Sequence, residues 1–271
     1  DECVLEGVRD SGTLLGKSQD LSAELDFSGQ LDSPSSLSGQ TWKLVVSYDG
    51  TDYSGWQVQP GERTIQGELQ AALGRVTGES PLPQGSGRTD AGVHALGQVA
   101  SFALQARIPA ENLRRALNRT LPEAIRVLDA RVVAAGFHAR HSTVAKTYEY
   151  RVCLERRRTG AEGDDPERAA ACPPFLARYV YSYSWPLELG RLQESAAAFV
   201  GTHDVLSFAA TDPDMATRKA AECEADVSDR RGAIRTVFAS EWEQRQVEDG
   251  KLLVYRVRGN GFLHHMVRNL V

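Results

Sequence analysis

The sequence predicts an α/β or α+β fold in which helices pack on one side of a sheet. Strand-like and helical segments alternate through the first half of the chain in the order β-α-β-α-β-β. The second half follows a loosely similar order and contains a hairpin signal at Glu248-Asp249-Gly250. Each such element has one apolar face, and a layer of helices on a sheet buries those faces together.

The elements of the first half are set by apolar spacing and by residues that start or stop helices. Thr64 is a suitable N-cap because its hydroxyl can accept a hydrogen bond from a free backbone N–H group, and Gly78 can end the same helix. The expected elements are strands at 42–48, 96–104, 125–133 and 144–154, and helices at 64–78 and 109–117.

The second half is less regular and is interrupted by polar stretches. A break is expected at Gly201-Thr202-His203-Asp204, and the polar stretch 211–224 is expected to be a loop. The expected elements are a short strand near 179–183, a helix at 188–200, paired strands at 235–243 and 251–258, and a last helix at 262–271.

Charge is unevenly distributed, although the net charge is only −5. Residues 1–40 hold eight acidic and two basic residues, and we expect them to form a flexible acidic extension. Residues 105–151 hold nine basic and four acidic residues. Such a band can bind an anionic polymer, or it can be an ordinary solvated surface. The predicted parts of the chain are 1–40, an N-terminal half at 41–154, a linker or insertion at 155–174, and a C-terminal half at 175–271.

Composition and spacing exclude several classes of protein. No apolar run reaches the length of a membrane span, and residues 1–40 match neither a secretory signal nor a transit peptide. The four cysteines form no CxxC pair, which argues against a zinc ribbon or a disulfide scaffold and for a reducing compartment. His264-His265 fits no HExxH pattern, so we expect no metal site.

One loop combines four glycines with a single acid, Asp90, and leads into the predicted strand at 96–104. Such a loop can hold a catalytic carboxylate at the mouth of a cleft, but it is also a common plain turn. Ser86, Asp90 and His94 could suggest a serine hydrolase. However, the GxSxG elbow is absent, and three triad members so close in sequence rarely reach one another.

The chemistry that remains is that of a carboxylate acting without a cofactor. Arg88 beside Asp90 would keep the acid ionised, and an ionised aspartate can act as a nucleophile or a base. Tyr148 and Phe262 carry rings that could stack on a nucleobase. Together these residues suit chemistry on a nucleotide inside a polynucleotide.

The residues around Asp90 resemble the signature of the TruA family of tRNA pseudouridine synthases. The matching run is Gly87-Arg88-Thr89-Asp90-Ala91-Gly92-Val93-His94. Five further motifs match that family in order, at 48–51 with 55–57, 64–67, 137–142 with 146–150, 201–204 with 208, and 262–268. The resemblance therefore covers the chain from residue 48 to residue 268.

The resemblance implies an α+β pseudouridine synthase fold, with a mixed, mostly antiparallel sheet built from two similar halves, helices outside and a central cleft. It implies conversion of uridine to pseudouridine at positions 38–40 of the tRNA anticodon stem-loop, without a cofactor or a metal. The N1–C1′ bond breaks, the uracil rotates, and C5 joins C1′. The target nucleotide must leave the stack because a stacked glycosidic bond is inaccessible.

The same resemblance implies a catalytic set of Asp90, Tyr148 and Arg268. Asp90 would be the essential carboxylate, which either attacks C1′ or removes a sugar proton, and Arg268 would pair with it. Tyr148 would stack on the flipped uracil and assist proton removal at C5. The expected substrate-binding residues are Arg88, which would displace the target base, with Thr89, His94, Arg140, Tyr148 and Phe262.

Partners and chain length follow from the resemblance as well. We expect a cytoplasmic homodimer that binds tRNA through the basic band at 105–151, with an affinity that falls as salt rises. The family normally continues with more helix and a further strand, so we expect the C-terminal half to be truncated. The roles of His94, His264 and His265 stay open, since each could be a packing residue or an RNA contact. The alternative function is a catalytically silent RNA-binding protein on the same fold.

Overall fold

The structure is a computed structural model that describes residues 2–4, 39–154, 172–210, 230–247 and 250–271. Its strands are β1 (Glu2–Val4), β2 (Gln40–Tyr48), β3 (Gln84–Gly85), β4 (His94–Leu104), β5 (Ile125–Val133), β6 (Lys146–Leu154), β7 (Tyr181–Tyr183), β8 (Gly201–Asp204), β9 (Ile234–Val247) and β10 (Gly250–Gly259). Its helices are α1 (Ile65–Thr77), α2 (Ala110–Thr120), α3 (Leu189–Ala197) and α4 (Met266–Leu270). Within these ranges no helix has both the length and the apolar character needed to cross a bilayer.

The described strands form one sheet with the order β5-β2-β4-β1-β6-β10-β9-β8, and β3 and β7 pair with β4 and β6. The long pairs are antiparallel, whereas β1 with β4 and β6 with β7 are parallel. Strands β5, β2 and β4 lie on one side of β1, whereas β6, the last strand of the N-terminal half, lies on the other side with β10, β9 and β8. This mixed sheet confirms the predicted α+β class.

Residues 2–4 lie in the middle of the sheet, which corrects part of the flexible extension predicted for residues 1–40. Cys3 pairs with Ala95 of β4 in parallel register and with Tyr148 of β6 in antiparallel register. The facing edges of β4 and β6 both carry backbone groups that need partners, and a strand between them satisfies both rows. Residues 1 and 5–38 of that predicted extension lie outside the described residues, and Gln40 at its end already belongs to β2.

The four described helices pack on one face of the sheet. Tyr48, Ala95, Tyr148 and Val257 are aligned across successive strands, so their side chains point to the same face. That face carries both large core clusters. One cluster contains Leu44, Val46, Leu69, Leu73, Leu113 and Leu117, and the other contains Val152, Ala196, Trp242, Tyr255 and Val257 with Val267 packed against it.

Helix α1 confirms the predicted start and stop signals. The Thr64 hydroxyl accepts a hydrogen bond from the Gly67 N–H at 3.3 Å. Gly78 ends the helix with a φ of 77°, a left-handed conformation that glycine adopts without a steric penalty. The predicted hairpin is also present, as β9 and β10.

Two elements of the C-terminal half differ from the prediction. Gly201–Asp204 forms strand β8 instead of a simple break, because it pairs with the open edge of β9. The last helix, α4, begins at Met266 and not at residue 262, since His265 has a φ of 55° that a right-handed helix cannot include. The predicted loop at 211–224 and residues 155–171 of the predicted linker lie outside the described residues.

Candidate active site

The loop that carries Asp90 is fixed by backbone hydrogen bonds on both sides of that residue. The Trp56 N–H donates to the Thr89 carbonyl at 3.0 Å, and the Gly92 N–H donates to the Tyr53 carbonyl at 3.2 Å. Tyr53 and Trp56 both belong to the buried core of the N-terminal half. The carboxylate of Asp90 is therefore held on a rigid support, as a catalytic group requires.

The start of this loop is packed against the core instead of lying open. A Cβ at Gly85 would come within 2.7 Å of the Trp56 indole, so the glycine makes room for that ring. The Ser86 hydroxyl donates to the Gln98 side-chain carbonyl at 2.7 Å, and the Gln98 amide donates to the Gly87 carbonyl at 2.7 Å. Ser86 is 1% exposed, a position that disfavours the serine-hydrolase alternative.

Two histidines from the end of the chain contact the Asp90 carboxylate. His265 Nε2 lies 3.3 Å from Asp90 Oδ2, and His264 Nε2 lies 3.7 Å from Asp90 Oδ1. The two imidazole rings stack, with centroids 3.9 Å apart and planes at 24°. The side chain of Asp90 is still 36% exposed, so the acid is supported on one side and accessible on another.

A left-handed residue explains how two consecutive histidines reach the same acid. Consecutive side chains point apart in a strand and do not face each other on a helix. His265 has a φ of 55° and is the one non-glycine residue with positive φ in the described ranges. This turn before α4 brings both rings to one side of the backbone.

The aromatic pair predicted to stack on a base is assembled nearby. Tyr148 on β6 and Phe262, which follows β10, meet edge to face with ring centroids 5.0 Å apart. Phe262 lies only two residues before His264. Residues 262–265 therefore contact both the Tyr148 ring and the Asp90 carboxylate, although they belong to the C-terminal half and these two residues to the N-terminal half.

The three arginines predicted for the site are all exposed. Arg88 lies next to Asp90 in the same loop, and Arg140 lies in the connection between β5 and β6. Arg268 lies on α4, close enough to Tyr150 for its positive charge to act on that hydroxyl. Burial raises the pKa of Tyr150, and the charge of Arg268 opposes this rise. The predicted pairing of Arg268 with Asp90 stays a prediction.

Two predicted substrate-binding residues are engaged inside the protein. The hydroxyls of Thr89 and Tyr48 lie 2.8 Å apart in the core. His94 is 6% exposed, and its Nδ1 lies 3.0 Å from Asp49 Oδ1. Burial lowers the pKa of His94 against the opposing charge of Asp49. This geometry favours packing for His94, and an RNA contact by either residue stays a prediction.

Sequence reasoning did not find two contacts made by residues far apart in the chain. The Tyr179 hydroxyl donates to Asp49 Oδ2 at 2.9 Å, which ties the C-terminal half to the N-terminal half. Asp90, His264 and His265 each present a ligand atom, and these atoms all lie within 4.8 Å of one another. Motif spacing could not reveal this cluster because the acid lies in the other half of the chain.

Comparison with known proteins agrees with this arrangement. A family model described as tRNA pseudouridine synthase matches residues 44–142 and 195–271, which include Asp90 and residues 262–265. A protein of Solibacter usitatus named tRNA pseudouridine synthase A is 46% identical over 229 residues, which are 84% of this chain and 83% of that protein. Proteins of the same name from Bacillus pumilus and Latilactobacillus sakei are 40% and 37% identical, over 83% and 86% of this chain and 79% and 81% of their own lengths. The chain therefore belongs to the TruA family of tRNA pseudouridine synthases, which are isomerases.

Proposed function

We propose that this chain isomerises uridine to pseudouridine at positions 38–40 of the tRNA anticodon stem-loop, with Asp90 as the essential carboxylate. The observation that carries the proposal is the double contact of residues 262–265. They touch the Asp90 carboxylate through His264 and His265, and the Tyr148 ring through Phe262. A rigid acid and an aromatic stacking surface are the two groups that this reaction requires.

The reaction itself needs no redox partner. The N1–C1′ bond breaks, a C5–C1′ bond forms, one proton leaves C5, and one proton is gained at N1. Asp90 acts on the sugar side of the breaking bond, and its accessible carboxylate supports that role. The Tyr148 ring, braced by Phe262, receives the flipped uracil by stacking.

Exposed arginines supply charge for the phosphates of the RNA. Arg107, Arg115 and Arg119 on or beside α2 are exposed, as are Arg88 and Arg140. Contacts between such side chains and phosphates give an affinity that falls as the salt concentration rises. We further propose that the enzyme works as a cytoplasmic homodimer in which one tRNA touches both subunits, and light scattering of the free protein and of its tRNA complex tests this.

The decisive experiment is the release of tritium from tRNA labelled at uridine C5. We expect the unaltered protein to release tritium and Asp90→Asn to release none, while a filter-binding assay shows that the variant still binds tRNA. Asp52→Asn is the matched control, because Asp52 is an exposed aspartate on a turn of the same half. It should leave the release rate unchanged.

Two outcomes would contradict the proposal in different ways. Normal turnover by Asp90→Asn would show that another group performs the chemistry. If the unaltered protein bound tRNA and released no tritium, a silent RNA-binding function would be the better account.

A further inference from the structure

We propose that Asp90, His264 and His265 form a binding site for a divalent metal ion of the zinc class, and that the bound ion reversibly inhibits the enzyme. The inhibition rests on the proposed function, whereas the binding does not. The ion is thus an inhibitor that competes for the carboxylate and is not a cofactor of the reaction.

The two distances from the Asp90 carboxylate are close to those between neighbouring ligands of one metal ion. Zinc bonds to imidazole nitrogen and carboxylate oxygen are about 2.0–2.1 Å long, so tetrahedral ligand atoms lie about 3.3 Å apart. The two separations from Asp90 are 3.3 Å to His265 Nε2 and 3.7 Å to His264 Nε2. Because lone pairs in two nearly parallel ring planes do not converge on one atom, one imidazole must rotate out of the stack to close the site around an ion.

The protein holds these ligands in place before any ion binds. The left-handed backbone at His265 and the stacked rings keep both imidazoles beside the acid. Nδ1 of His264 is buried without a hydrogen-bond partner among the described residues, so Nε2 is the nitrogen that this ring offers outward. Asp90 is fixed by the loop contacts described above. The acid and the backbone of both histidines are therefore already in place, and the ion has to reorient one imidazole ring.

The donor set selects the kind of metal. Two imidazole nitrogens and one carboxylate oxygen suit Zn²⁺, Co²⁺, Ni²⁺ or Cu²⁺, whereas Mg²⁺ and Ca²⁺ prefer sites made of oxygen atoms. Three protein ligands also leave a fourth position open to water or to an oxygen of the RNA.

Inhibition follows from the identity of one ligand. Asp90 cannot act on the sugar while its carboxylate lone pairs are bound to a cation. The ion would also occupy the space beside the carboxylate that the target nucleotide must enter. Removal of the ion should restore activity, because no bond of the protein is altered.

Metal binding is tested first without RNA. Titration of the metal-free protein with Co²⁺ should give the visible absorption of a bound ion with one-to-one stoichiometry, and Zn²⁺ should displace it whereas excess Mg²⁺ should not. We expect Asp90→Asn and His265→Asn each to weaken binding by more than about tenfold. His141→Asn is the matched control, because His141 is exposed and packs against the half-buried His138. It should leave the affinity unchanged, and circular dichroism confirms that each variant is folded.

Inhibition is tested next, in the tritium-release assay. Micromolar Zn²⁺ should abolish release, and a chelator should restore it. An absence of binding, or equal affinity in all variants, would overturn the metal site and leave the proposed function intact. Binding without loss of activity would overturn the inhibition. A protein that binds Co²⁺ but releases no tritium even after a chelator has removed the metal would contradict the proposed function alone.

Discussion

Replacing Tyr179 by phenylalanine should remove one hydrogen bond that links the two halves of the protein. The Tyr179 hydroxyl donates to Asp49 Oδ2 at 2.9 Å, and its ring packs edge-on against His94. The substitution deletes the hydroxyl and keeps the ring. The loss of stability therefore reports on the hydrogen bond to Asp49.

The size of the effect follows from the titration of Asp49. Burial alone would raise the pKa of this carboxyl. Hydrogen bonds from the Thr51 side chain and backbone and from Tyr179, together with the charge of His94, outweigh it and lower the pKa from 3.8 to about 2. At about 1.4 kcal/mol per pKa unit, the whole depression is worth about 2 kcal/mol of folding free energy. Tyr179 supplies one of three hydrogen bonds, so we expect Tyr179→Phe to cost about 1 kcal/mol at neutral pH.

The pH dependence of the stability difference between the two proteins has a predicted direction. Because the folded pKa of Asp49 is depressed, its stabilising contribution is full above pH 3.8 and is lost as the pH falls towards 2. Urea unfolding of both proteins from pH 7 to pH 3 should show a difference that shrinks at the acidic end. Tyr181→Phe is the control, since it removes a hydroxyl from a ring that is 53% exposed. A difference that is absent, or that stays constant with pH, would refute this reasoning.

Two further substitutions test the sheet and the loop. Glu149→Gln should lower the free energy of unfolding by about 2–3 kcal/mol, because it removes the negative charge that three arginines share at a 5%-exposed position. Glu243→Gln, at a 42%-exposed position, should cost less than about 1 kcal/mol, and equal costs measured in urea would show that burial does not set the effect. Gly85→Ala should cost about 1–3 kcal/mol and slow tritium release, because its Cβ would displace the Trp56 indole that abuts the Asp90 loop. Gly136→Ala, where an added Cβ meets nothing within 4 Å, should change neither quantity, and a harmless Gly85→Ala would contradict the packing account.

Local patterns in the sequence were enough to place most of the secondary structure. The start and end of α1 could be read directly, because an N-cap hydroxyl at Thr64 and a left-handed glycine at Gly78 act within a few residues. The β9–β10 hairpin was equally predictable from the sequence. Strand β8 was not, because a short polar segment becomes a strand only when the edge of β9 lies beside it.

The sequence by itself determined the fold class and the family and predicted Asp90 as the essential acid, since each of these rests on short motifs whose residues lie close together in the chain. Only the tertiary structure brought His264 and His265 to Asp90, seated Tyr179 on Asp49, and inserted residues 2–4 between β4 and β6. The physical reason is the same in each case. Contacts between residues far apart in sequence depend on the packing of the whole sheet. No single segment of the chain carries a signal that predicts such a contact.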